Sequence, residues 1–365
     1  MMIFLLIAVL IILVAILFMQ LPAFGKTPGG KRLQRIRTSP QFHKNTFQNQ
    51  SYTPALTGGA TITGVMKDFF FGKHERKVPS MPVPSVKSNL KNSNPDEPTI
   101  TWFGHSSYLL QINGRNILVD PVFSERTSPV QFAGTKAFPG SNIYNANDMP
   151  DIDVLLLTHD HYDHLDYNTV IALKDRISMI VTSLGVGSHL EKWGIPAEKI
   201  KELDWWESDE IMKDLRFTAA PGRHFSGRKF KRNQTLWSSF VLETGRYRLF
   251  LGGDSGYDTH FKEIGNRFGS FDLAILECGQ YNTFWANIHM MPEETVQAAI
   301  DLHAKVLMPV HWAKFALATH PWDDSIKRAV KQANILHQPL LTPMIGQKVS
   351  LNRSPENEAW WEKIS

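Results

Sequence analysis

The chain has 365 residues, 42% of them hydrophobic and 20% charged, which excludes wholesale disorder and supplies enough apolar surface for a substantial core. A single cysteine, Cys278, excludes an intramolecular disulfide framework and any multi-cysteine zinc site; placed in FDLAILECGQ, it reads as a buried, inert thiol. The net charge of +4 is uneven, with 12 Lys and Arg against 2 Asp and Glu in residues 26–94, so the remainder is mildly acidic and nucleic acid is not an expected partner.

The opening stretch MMIFLLIAVLIILVAILFMQL carries no charge. Nineteen helical residues from its start would span roughly 28 Å, close to a bilayer's hydrocarbon thickness. With no basic n-region and no small-x-small cleavage site, it predicts an uncleaved single-pass transmembrane anchor over residues 1–21 rather than a signal peptide. Lys26, Lys31, Arg32, Arg35 and Arg37 flank only its C-terminal side, which predicts a cell-membrane protein whose body faces the cytoplasm. The same cations would be drawn to anionic lipid headgroups.

Residues 22–98 read as a basic, Pro/Gly/Asn-rich arm, irregular and partly packed on the domain through the aromatic cluster of ITGVMKDFFFG (Ile62 to Gly72). Regular structure begins near Thr99, where TITWFGHSSYLLQINGRNILVDPVF alternates in short runs and Asn113-Gly114 marks a hairpin turn. After a loop through Asp148, Val154 to Leu157 form a buried strand, and YNTVIALKDRI a helix. SMIVTS is a strand, LGVGSHLEKWG a further helix, and KIKELDW and EIMKDLRFTAAPGRH are strand-and-turn units. SSFVLETGRYRLFLGGD is a hairpin turning at Thr244-Gly245, FDLAILECG a strand, PEETVQAAIDLHA a helix after Pro292, and KVLMPVHW a strand. Two sets of strands interleaved with helices predict a layered α/β sandwich over residues 99–365.

Directly after the buried strand comes THDHYDHLD, Thr158 to Asp166. His159 and His161, two apart, point the same way on an extended chain, and Asp163 and His164 follow at the turn. The segment can present two imidazoles to one metal and a carboxylate plus imidazole to a neighbour, a donor set that suits zinc and also admits iron or manganese. Further ligands are expected where other strands end: His224 after FTAAPGR, Asp254 after RLFLGG and His311 after KVLMPV. Asp120, ending NILVD, could orient a ligand histidine through its second ring nitrogen. His105 after TWFG reads equally as such a supporting group or a core histidine. His289, in ANIHMMPEE, reads as a proton donor, a phosphate contact or an exposed side chain.

THDHYDH matches the HxHxDH signature of the metallo-β-lactamase fold. The flanking GHSSYLLQINGRNILVDPVFSERTSP, HYDHLDYNTVIAL, LGGDSGY, EIGNRFGSFDLAILECGQY and PVHWAKFALA resemble the N-acylphosphatidylethanolamine-hydrolysing phospholipase D family across roughly residues 98–330. The resemblance implies a four-layer αββα sandwich with two Zn²⁺ between the sheets. His159, His161 and His224 would hold the first zinc, Asp163, His164 and His311 the second, and Asp254 would bridge; Asp163, Asp254 and His289 would carry the chemistry. Two features depart from the family, the apolar N-terminus and GRHFSGRKF around His224, so substrate contacts do not transfer. The expected activity is that of a membrane-associated phosphodiesterase hydrolysing N-acylphosphatidylethanolamine-like glycerophospholipids on the head-group side. The alternatives are a metal-dependent lactonase or other hydrolase of this fold, and a membrane-tethered, zinc-stabilised binding module.

Overall fold

In the computed structural model, which describes residues 2–92, 94–353 and 357–364, two mixed β-sheets pack face to face. The first contains β1 (Thr99–Trp102), β2 (Tyr108–Ile112), β3 (Arg115–Val119), β4 (Ile152–Leu157), β5 (Ile177–Ser183), β6 (Ile200–Leu203) and the late strand β13 (Lys348–Ser350), in the order β13-β1-β2-β3-β4-β5-β6. Pairing is antiparallel from β13 to β3 and parallel from β3 to β6. The second sheet has the order β12-β11-β10-β9-β8-β7. Its strands are β7 (Ser208–Met212), β8 (Leu215–Ala220), β9 (Ser239–Thr244), β10 (Tyr247–Leu251), β11 (Leu273–Glu277) and β12 (Leu307–Val310). Here the antiparallel pairs run from β7 to β10, and the last two pairings are parallel.

The parallel strands are covered on both faces, which is why β4 reads IDVLLL without polar alternation after Asp153. Val154 and Leu156 point into the inter-sheet core with Val119, Phe217, Phe240, Leu251 and Val310. Leu155 and Leu157 point outward, against Val170 and Leu173 of α4 (Tyr167–Leu173) and Leu190 of α5 (Gly187–Lys192). On the far side Phe250 and Ala274 pack against α6 (His260–Phe268), α7 (Pro292–Asp301) and α8 (Asp324–Leu336). The predicted αββα layering is the observed one. Sequence signals set the helix starts locally: Pro292 occupies the first position of α7, where no backbone N–H is needed, and Glu294 accepts from the Met291 N–H at 2.8 Å.

The N-terminus overturns the expected anchor. The first helix, α1, covers only Met2–Phe18, 17 residues, ahead of the short α2 (Gly30–Ile36), and no helix among the described residues is long and apolar enough to cross a membrane; Met1 lies outside the described residues. At 1.5 Å per residue it reaches about 25 Å, short of the roughly 30 Å hydrocarbon core. At its C-terminal end Pro22 opens a short 3₁₀ turn (Pro22–Phe24) whose Ala23 and Phe24 are buried against the domain. The 1–21 transmembrane anchor, the bilayer as partner through it, and the single-pass membrane location with a cytoplasm-facing domain are therefore corrected. Two of the arm's cations are likewise committed elsewhere: Arg32 pairs with Glu191 and Glu202 at 2.8 Å each, and Arg35 with Glu207 at 2.5 Å. These cations dock the arm on the domain rather than on anionic headgroups. A membrane-associated phospholipase D-type phosphodiesterase, and equally a membrane-tethered binding module, lose the feature on which they were built.

Candidate metal centre

The loops at the C-terminal ends of the strands converge on one spot between the sheets. β4 delivers His159, His161, Asp163 and His164; β8 leads to His224, β10 through Gly252-Gly253 to Asp254, and β12 to His311. A Cβ at Gly253 would stand 2.6 Å from the Ser238 carbonyl oxygen, so only glycine lets Asp254 approach. His105, Asp120 and His311 all hold positive φ, 53°, 40° and 70°. That conformation costs a side-chain-bearing residue energy and persists where the surroundings impose it. Here the 105 and 311 segments are tied together, His105 N donating to the Trp312 carbonyl and His311 N to the His105 carbonyl, both at 2.9 Å.

Two donor groups result, each with its ligating atoms within 4.8 Å of one another: His159, His161, His224 and Asp254; and His105, Asp163, His164 and His311. Asp254 also groups with His289 and His311. Its carboxylate faces both sides. Oδ2 lies 3.8 Å from His159 Nε2, 3.7 Å from His224 Nε2 and 3.2 Å from His164 Nε2, while Oδ1 lies 3.3 Å from His311 Nδ1.

Outer hydrogen bonds fix the tautomers. His224 Nδ1 donates to the Ile288 carbonyl at 2.9 Å and His164 Nδ1 to Asp120 Oδ2 at 2.7 Å, leaving each Nε2 as a lone pair aimed inward. Thr158 Oγ1 donates to Asp120 Oδ2 at 2.6 Å, so it accepts from His159 Nδ1 at 3.0 Å, and His159 Nε2 is a third inward lone pair. His161 Nδ1 sits 3.0 Å from His159 Nε2 and 3.2 Å from His224 Nε2. Facing lone pairs repel unless a cation sits among them, and these spacings approach the roughly 3.3 Å edge of a tetrahedron with about 2.0–2.1 Å bonds. The buried His164 Nε2 and Asp254 Oδ1 have no hydrogen-bond partner, although buried polar atoms are seldom left so. The residues present fit a metal centre.

Electrostatics agree. Burial alone would raise the Asp254 carboxyl, but the imidazoles of His164 and His311 outweigh it and hold the group well below its ordinary range. Asp163 is lowered in the same way, with His164 and His105 opposing burial. Burial depresses His159, His161, His224 and His311, keeping them neutral and able to ligate, whereas at His164 burial is outweighed by the Asp254 and Asp163 carboxylates, which raise it and draw positive charge to that spot. His105 Nε2 lies 2.9 Å from Asp163 Oδ2.

His289 stands at the cavity edge with Nδ1 3.5 Å from Glu277 Oε1, so its other ring nitrogen is the one available to a ligand. Burial pushes the Glu277 carboxyl up to about 7 against the pull of His289, and the same carboxylate outweighs burial to raise His289. Sequence reasoning missed Glu277, although it ends β11 as Asp120 ends a run like β3. It also missed Asp160, inside the motif itself. Asp160 is buried, accepting from Gly227 N at 2.7 Å and Thr235 Oγ1 at 2.9 Å, with His189 Nε2 at 3.2 Å.

Above the donors opens a cavity of about 550 Å³, walled by Leu56, Ile62, Val65 and Met66 of the arm and by Phe225, Trp285, Ile288 and Leu317 of the domain. The helix α3 (Ile62–Phe71) supplies three of these side chains.

An αββα sandwich with strand-end histidines and aspartates around a shared carboxylate defines the class of metal-dependent hydrolases. Residues 115–312, more than half of the chain, match the family described as the beta-lactamase superfamily domain, and the chain belongs to that superfamily. It is similar to an uncharacterized protein of Mycobacterium tuberculosis, 40% identical over 328 residues that cover 88% of this chain and 87% of that one. It is also similar to the N-acyl-phosphatidylethanolamine-hydrolyzing phospholipase D 1 of Caenorhabditis elegans, 32% identical over 232 residues, 60% of this chain and 65% of that one. Among solved structures, the metallo hydrolase of Ignicoccus hospitalis superposes with a TM-score of 0.53 at 18% identity, covering 69% of this chain and 97% of that one.

Asp120→Asn tests the outer shell. It loses the acceptor that orients both His164 Nδ1 and the Thr158 hydroxyl, so metal affinity is expected to fall about 10- to 100-fold. Competition with a chromogenic chelator reads this out directly; unchanged affinity would show that Asp120 does not govern the ligands.

Proposed function

We propose that the chain is a dinuclear metallohydrolase that opens a lactone or related ester carrying an apolar chain. The observation that carries this reading is the shared Asp254 carboxylate at the floor of an apolar cavity. In this reading His159, His161 and His224 hold one ion, Asp163, His164 and His311 the other, and Asp254 contacts both. Zinc is the ion proposed. When bound, such a pair polarises a carbonyl and supplies hydroxide at neutral pH.

The chain's own residues would supply the rest. Asp120 and the Ile288 carbonyl hold His164 and His224 in the ligating tautomer. His289, oriented by Glu277 on one ring nitrogen, would donate a proton from the other to the leaving oxygen. The arm side chains Leu56, Val65 and Met66 would cover the acyl portion and exclude water. The division into an arm (22–98) and a hydrolase domain (99–365) is kept as part of this proposal, the arm serving as one wall of the site.

Phosphoryl transfer ordinarily recruits cationic side chains against its equatorial oxygens. Among the described residues lining the cavity, the one Lys or Arg is Arg232, whose guanidinium lies over the Phe225 ring. That favours a neutral carbonyl at the reacting position. The finer kinship with the N-acylphosphatidylethanolamine-hydrolysing phospholipases D is proposed for descent alone, supported by the 32% identity and the flanking motifs.

The test is a substrate panel with metal analysis on the same preparation. Medium-chain lactones and aryl esters are expected to turn over with kcat/KM at least about 100-fold above phosphodiester lipids, a gap of roughly 2.7 kcal/mol in transition-state stabilisation. Two equivalents of zinc per chain are expected. Preference for the phosphodiesters, or full activity with a single ion, would reject the reading.

A further inference from the structure

The loop from β8 to β9 contains three arginines, and two are committed to structure. Arg223 ties down the arm, donating from Nε to Thr53 Oγ1 and from Nη2 to the Tyr52 carbonyl, both at 3.1 Å. Arg228 is buried and donates to the carbonyls of Ala23, Asp160 and Leu165. Arg232 differs. It is exposed, lines the cavity, and holds its guanidinium carbon 4.9 Å from the centre of the Phe225 ring. Among the described residues no hydrogen bond or ion pair engages that guanidinium.

Phe225 makes this placement matter. Its ring packs 4.5 Å from His161 and 4.8 Å from His224, centre to centre, and the Arg232 guanidinium lies over the same ring. The remaining polar lining group outside the donor set, Gln280, is saturated. Its Nε2 donates to the His311 and Phe315 carbonyls, and its Oε1 accepts from Leu317 N and Ala318 N. A ligand in the cavity therefore meets apolar walls, the donor cluster, and one uncommitted cation.

We infer that Arg232 binds an anionic oxygen group, carboxylate or phosphate, carried by the substrate away from its scissile carbonyl. The substrate class is then the anionic amphiphile, a hydrolysable ester or lactone whose apolar chain lies along α3 and whose second, ionised group reaches the Phe225–Arg232 stack. This rests on the hydrolase reading above. A fork of N–H donors on a planar cation suits both oxyanions, and charge-assisted hydrogen bonds are stronger than neutral ones.

The experiment uses the full-length, zinc-loaded protein as wild type, Arg232→Gln and Arg232→Lys. Titration calorimetry measures decanoate, decyl phosphate and decanol; kinetics compare an ester ending in a carboxylate with its methyl-capped twin. Arg232→Gln is expected to weaken the anions about 10- to 100-fold and to lower the ratio of kcat/KM for charged over capped ester by the same factor. Arg232→Lys is expected to retain part of both. The two anions separate carboxylate from phosphate preference. Were the anions held by the metal centre instead, Arg232→Gln would leave their affinities and the ester ratio unchanged, and the proposal would be overturned. If wild type hydrolyses neither ester, the hydrolase reading fails while the calorimetry still decides the role of Arg232.

Discussion

Asp254→Asn is expected to strip metal from both donor groups and to lower turnover at least about 100-fold, since even partners one layer out cost 10- to 100-fold. The reason is geometric. Oδ2 faces His159, His164 and His224, and Oδ1 faces His311, and no other carboxylate among the described residues stands in two of the donor groupings. Asparagine keeps the volume but removes the negative charge and turns N–H donors toward lone pairs. With that charge gone, the two sets of imidazoles lose the one anionic donor they share. Metal analysis after exhaustive dialysis, run beside circular dichroism, separates metal loss from unfolding. Two retained ions with full turnover would remove Asp254 from the centre.

Arg228→Ala is expected to be the largest stability loss, about 3–5 kcal/mol, because several buried carbonyls lose their donor at once. The guanidinium is buried and donates to Asp160 O at 2.8 Å, to Leu165 O at 2.7 Å and twice to Ala23 O, at 2.9 and 2.6 Å. It also lies 4.1 Å over Tyr162 and 5.4 Å over Trp193. Its removal orphans three carbonyls, at about 1–3 kcal/mol each before relaxation. One of them belongs to Asp160, between two candidate ligands, and another to Ala23, which seats the chain that follows the first helix. Urea unfolding should show a lower midpoint at constant slope, and hydrogen exchange should show residues 22–28 opening ahead of the core. A change under 1 kcal/mol would mean that water replaces the side chain without cost.

These two residues illustrate how unevenly function is written in this chain. Asp254 was legible because it follows a short apolar strand, and that rule also led to His224, His311 and Asp120. Applied to FDLAILE it would have led to Glu277. Arg228 was not legible, since nothing in GRHFSGRKFKR tells the spent Arg223 and Arg228 from the free Arg232; burial and partners make the distinction. The apolar N-terminus misled for a related reason. Hydropathy records that residues 1–21 carry no charge, but not that Ala23 and Phe24 are packed on the domain and that the helix stops at Phe18.

By itself the sequence determined the layering, because strand and helix periodicities and doubly buried strands are local patterns. It also determined the ligand chemistry, because HxHxDH places its donors by backbone alternation within a few residues. Tertiary structure decided the rest. Contacts between loops far apart in the chain turned Asp254 toward two clusters at once, spent Arg32 and Arg35 on acidic side chains, and folded Leu56 through Met66 over the cavity. Such pairings depend on how loops close in space, and residue order alone does not encode which distant partner meets a given charge.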